Sequence, residues 1–163
     1  MRSYQIFAAM TPERAVALMR GLSKQAPAMF RQAVDAAAIA TRSRPVYLRK
    51  QPFEKRSEAV RRALSRVVAN AVADELLAVY FLECRKPLVT EWLDGIGVAH
   101  EDGTLEEAAP AQPPEKRLRK AVEAYREKED DPDRELLLCA FAAQEAVDWP
   151  ALDALLGFEP TAS

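Results

Sequence analysis

Histidine, cysteine and glycine are all scarce in this chain: one histidine, two cysteines and five glycines among 163 residues. Each shortage excludes a class of chemistry. A zinc site of the H-E-x-x-H type needs a second histidine, and a ferritin-like di-metal site needs Glu-x-x-His motifs on two helices. Cys84 and Cys139 sit in the apolar stretches "VYFLECR" and "LLLCAFA" with no C-x-x-C spacing. They read as buried reduced thiols rather than a redox pair. Long apolar runs are missing too. The most apolar stretch, 67–82, contains Asn70, Asp74 and Glu75 and falls short of the roughly 20 apolar residues that a bilayer span requires. The N-terminal run is broken by Gln5 and is too short for a signal peptide. The expectation is a cytoplasmic protein that does not engage a membrane.

Alanine is abundant, with 30 residues, and it has the best intrinsic helix propensity. Together with few glycines and little β-type alternation it predicts an all-α fold. The chain length suits a single domain, 1–163. Start signals are legible. Thr11 followed by Pro12 and Glu13 predicts an N-capped helix with Ala15, Leu18, Met19 and Leu22 on one face. Pro27 opens a second helix. "SRPVYLRKQP" (43–52) is bracketed by prolines and reads as an extended connector. A long central helix is predicted over about 53–86, amphipathic at first and apolar nearly all round later, ending at Pro87. A short helix with Leu88 and Trp92 inward follows. A proline-punctuated linker at about 106–113 then leads to three more helices, with caps at Asp131 and Asp148 and a glycine stop at Gly157. The predicted architecture is a bundle of six to eight helices around the 53–86 helix.

The stretch "LDGIGVAHEDGTLEE" (93–107) holds the lone histidine and three of the glycines. Gly95 and Gly97 stand where a left-handed helix cap belongs, and Asp102-Gly103 is a strong two-residue turn signal. A small turn or hairpin near 97–105 accounts for all of them. An EF-hand fails on its ligands, because Val98 or Trp92 would fall on positions that need oxygen. No G-x-S-x-G hosts a nucleophile. His100 is therefore read as a turn residue. No catalytic residue, cofactor or metal is expected.

Charge is unevenly spread. Residues 1–66 hold 14 Lys and Arg against 4 Asp and Glu, a net of +10, whereas residues 67–163 hold 9 against 21, a net of −12. The basic density peaks over 42–66, where Arg42, Arg44, Arg49, Lys50, Lys55, Arg56 and Arg62 form a candidate anion-binding patch, with Tyr47 and Phe53 interleaved. One reading has this segment solvated or packed on the acidic C-terminal part. The other leaves it open to an anionic partner, with the two aromatics either stacking on bases or pinning a loop to the core. Asn70 and Asp74 are i, i+4 neighbours and read as a polar row narrowing toward the core, the alternative being a polar cluster inside the bundle. Two functions follow as expectations. The first is a non-catalytic protein-interaction or self-associating module, which would take a protein partner or form a homo-oligomer. The alternative is nucleic-acid or polyanion binding through 42–66.

Overall fold

The computed structural model describes residues 1–158. Its regular structure is ten α-helices and one pair of two-residue strands, so the fold is helical as predicted. The helices gather into two compact units, one spanning Arg2–Cys84 and one beginning at Arg85.

The first unit contains α1 (Ser3–Ala9), α2 (Pro12–Gln25), α3 (Pro27–Ala40), α4 (Pro45–Arg49), α5 (Phe53–Leu64) and α6 (Asn70–Cys84). Thr11 caps α2 by accepting the Arg14 N–H at 3.3 Å, and Pro12 and Pro27 occupy first turns that need no donor. The apolar stripes of α2, α3 and α5 bury Leu18, Met19, Leu22, Phe30, Val34, Val60 and Leu64 against one another. α1 adds Ile6 and Phe7 to the same core.

Two expectations for this region are corrected. The helix predicted over 53–86 is two helices. α5 stops at Ser65, whose hydroxyl donates to the Arg62 carbonyl at 2.6 Å, and a 3-10 turn at Val67–Ala69 re-aims the chain. Two adjacent β-branched valines at the break weaken the helix slightly. The bend allows α5, amphipathic, and α6, apolar nearly all round, each to pack on α1 and α2. The extended connector predicted at 43–52 contains α4, a short helix started by Pro45 and anchored by buried Leu48. The polar row at Asn70 and Asp74 narrows into the contact between α6 and α1, where both side chains are half-buried. Asn70 Oδ1 accepts the Tyr4 N–H at 3.1 Å and Asp74 accepts the Ser3 hydroxyl, so together they tie down the first turn of α1.

The second unit contains α7 (Lys86–Ile96), β1 (His100–Glu101), β2 (Thr104–Leu105), α8 (Glu115–Glu127), α9 (Pro132–Ala143) and α10 (Pro150–Leu155). Gly97 ends α7 at φ +72°, with the Val98 N–H returning to the Leu93 carbonyl at 3.0 Å. The hairpin pairs His100 with Leu105 and Glu101 with Thr104 around Asp102 (φ +51°) and Gly103 (φ +92°), as the dipeptide predicts. Aromatic rings fill the core. Trp92 meets Tyr125 at 5.4 Å and Phe141 at 5.8 Å, and Phe141 meets Trp149 at 5.2 Å. The 106–113 linker is non-helical and serves the core, because the Pro110 carbonyl accepts the Trp149 indole N–H at 2.8 Å. Asp131 caps α9 as predicted. Asp148 does not cap α10; Trp149 stands at that position and Gln112 Oε1 accepts the Ala151 N–H at 3.1 Å.

Candidate interaction surface

Backbone geometry positions the basic segment. α3 ends in a Schellman turn, with the Ser43 N–H bonded to the Ala38 carbonyl at 2.8 Å, and its left-handed residue is Arg42 at φ +56° where glycine is usual. The turn delivers the chain into α4, so residues 39–47 form a projecting corner. Ile39 is 71% exposed, Val46 57% and Tyr47 63%. Arg42, Arg44 and Lys50 are exposed around them. Their side chains make no hydrogen bond or ion pair among the described residues.

The predicted patch is divided by this geometry. Arg49 turns back onto α3, where its Nε bonds Asp35 Oδ1 at 2.8 Å and a second guanidinium nitrogen meets Oδ2. That hydrogen bonding holds the Asp35 carboxyl below its ordinary range. Arg62 shares Glu58 with Arg61, at 2.9 and 2.7 Å, so its charge is locally matched. Arg56 lies over the rings of Phe30 and Phe53, 5.7 and 5.3 Å from their centroids, and its Nε is buried without a partner among the described residues. Lys55 stands exposed.

Arg49 and Arg56 converge with Arg31, Phe30 and Val34 around a pocket of about 270 Å³. Outside the pocket lining, Arg20 of α2 holds its guanidinium 5.1 Å above Phe53. Asp35, held by Arg49, is the acid beside this group. Arg31 and Arg20 fall outside the 42–66 window and were missed. Arg31 directly follows Phe30 in the chain, whereas Arg20 comes to Phe53 only when α2 packs on α5. Phe53 is an anchor, stacked on Phe30 at 5.4 Å, whereas Tyr47 is left outward.

His100 belongs to the hairpin. Its Nδ1 accepts the Gly103 N–H at 3.0 Å and its Nε2 lies 2.7 Å from Asp94 Oδ1. Both ring nitrogens are thus engaged in holding the turn to the end of α7. Burial pushes the Cys139 thiol up to about 11, which makes it a poor nucleophile. Among the described residues no group of three or more His, Cys, Asp or Glu side chains is arranged to hold a metal ion. No described helix is long and apolar enough to cross a membrane. Comparison with protein-family models, with curated proteins and with solved structures gives no match to this chain.

Proposed function

We propose that the protein is a non-catalytic, cytoplasmic interaction module whose N-terminal unit docks an acidic, amphipathic segment of a partner protein. The observation that carries this reading is the α3–α4 corner: Ile39, Val46 and Tyr47 project into water within the same nine residues as the cations Arg42 and Arg44. Exposed large apolar side chains beside unmatched charge are what a partner's apolar face and acidic rim complement. Backbone strain points the same way. An arginine held in the left-handed region costs about 1 kcal/mol that glycine would not, and such strain persists where function keeps the side chain. The pocket lined by Arg31, Arg49 and Arg56 offers a seat for one carboxylate of the partner, with the exposed Arg31 as the cation that no acid bonds among the described residues.

A fluorescein-labelled 18-residue Glu/Leu amphipathic peptide, its Lys/Leu counterpart and a single-stranded oligonucleotide separate the readings by anisotropy at low and high salt. The acidic peptide is expected to bind with salt-sensitive affinity. Binding is expected to weaken roughly tenfold or more in Arg44→Glu/Lys50→Glu and in Ile39→Ala/Tyr47→Ala. Preference for the oligonucleotide overturns the proposal in favour of polyanion binding, and indifference to all three probes ends it. Light scattering at two concentrations shows whether a second copy of the chain fills the partner's role.

A further inference from the structure

The second unit carries a cavity that the docking face does not involve. It lies between α7 and α8 and has a volume of about 430 Å³, within the roughly 300–1,000 Å³ of small-ligand sites. Its wall is mainly apolar, built from Trp92, Ala121, Ala124 and Tyr125. Three polar features distinguish it from an ordinary surface groove.

The first is unmatched positive charge. Arg117 and Lys120 line the cavity and are exposed, and neither side chain makes a hydrogen bond or ion pair among the described residues. The acid in the wall, Glu91, is already engaged, with Arg134 at 2.9 Å on one oxygen and Lys128 on the other. An incoming anion therefore meets two free cations and no free carboxylate from the lining. The second feature is placement. Arg117 rests against Gly97, where an added Cβ would fall 2.5 Å from its Nη2. The left-handed glycine that ends α7 also makes room for the guanidinium at the cavity. The third is an orphan donor. Trp92 is 1% exposed and lines the cavity, yet its indole N–H has no acceptor among the described residues. Trp149, the other tryptophan, is satisfied by Pro110. The indole nitrogen is itself buried, so an acceptor entering from the cavity reaches it only as the wall shifts to admit a ligand.

We infer that this cavity binds a small organic monoanion, a carboxylate joined to an apolar ring or short chain. Its apolar body covers Trp92, Ala121 and Tyr125, its charge sits between Arg117 and Lys120, and an oxygen comes within reach of the Trp92 indole. Inorganic phosphate fits poorly, because it has nothing to lay on the apolar wall and would lose part of its hydration for two flexible cations.

The test uses the full chain, with 1-naphthoate, neutral 1-naphthamide and inorganic phosphate as probes. Binding is followed through the two tryptophan indole signals in ¹H–¹⁵N spectra, the Trp92 signal being assigned by its loss in Trp92→Phe. Naphthoate is expected to shift the Trp92 indole saturably. The amide and phosphate are expected to bind about tenfold or more weakly, and Arg117→Gln/Lys120→Gln to lower naphthoate affinity by a similar factor. Gly95→Leu, which adds a side chain at the cavity wall on a helical position open to it, should block the site while leaving the fold intact. Equal binding of naphthoate and naphthamide, a naphthoate response unchanged in both variants, or no saturable shift of the Trp92 indole overturns the inference.

Discussion

His100 and Asp94 face each other across the end of α7, with Nε2 2.7 Å from Oδ1, while the other nitrogen of the same ring takes the Gly103 N–H. An accepting Nδ1 leaves Nε2 as the protonated nitrogen, so the ring donates to the carboxylate and holds the helix end to the hairpin turn. His100→Ala removes both bonds. Since an average hydrogen bond contributes about 1 kcal/mol, the variant should lose roughly 1–2 kcal/mol in denaturant unfolding. Hydrogen exchange of the Gly103 amide should rise far more than exchange in α9. An unchanged Gly103 amide would show that the histidine does not hold the turn.

Glu58 provides a pH-dependent test in the first unit. Hydrogen bonds from Arg61 and then Arg62 outweigh burial and bring its carboxyl from 4.5 down to about 2. The folded state therefore prefers the charged form. This stabilisation is complete above about pH 4.5 and fades as pH falls toward about 2. Glu58→Gln should cost about 1–2 kcal/mol at pH 7, the upper figure being tempered by the exposure of Arg62. Urea unfolding of the two proteins should converge as the pH approaches 2. A constant gap across that range would mean that the loss is one of packing rather than charge.

Two glycines separated by one residue should respond in opposite directions. Gly95 lies inside α7 with open space where a Cβ would go, so Gly95→Ala should stabilise by roughly 0.5–1 kcal/mol through helix propensity alone. Gly97 has φ +72° and the Arg117 guanidinium against it. Gly97→Ala should cost about 1–2 kcal/mol, mostly from the left-handed backbone, because the arginine tip can swing aside. Thermal unfolding of both variants beside the parent reads the sign of each.

Arg134 is the most deeply buried of the paired arginines, at 4% exposed. It bonds Glu91 at 2.9 Å and the Tyr125 carbonyl at 3.3 Å, and lies 4.7 Å over the Tyr125 ring. Burial pushes the Glu91 carboxyl up, but Lys128 and Arg134 outweigh it and keep it below its usual range. Arg134→Ala should cost about 3 kcal/mol, since it empties the space over Tyr125 and leaves Glu91 with Lys128 alone. Arg134→Met keeps an apolar stem there and should cost about half as much. Equal losses in the two variants would assign the whole effect to charge.

Helix starts and turns were readable because they depend on near neighbours. Thr11 before Pro12, Asp131 before Pro132 and Asp102-Gly103 each act over two to four residues, and each is found in the predicted role. The break at 65–69 was not readable. The valines weaken a helix only slightly, and the α1 and α2 surfaces on which the two halves pack are distant in sequence. The charge peak at 42–66 marked a run of basic residues without showing which of them acids match. Arg62 is matched by Glu58 one turn away, a pairing visible in the spacing. By contrast, Arg20 reaches Phe53 only through helix packing.

The amino-acid sequence by itself determined that this is a helical protein with a basic beginning and an acidic end, because propensity, caps and charge density are properties of short windows. The tertiary structure alone decided which polar groups meet. Ser3 finds Asp74 across 71 positions, Trp149 finds Pro110 across 39, and the Trp92 indole finds no acceptor among the described residues. Such pairings depend on how buried surfaces fit, and side chains far apart in sequence are matched only once packing has removed water from between them.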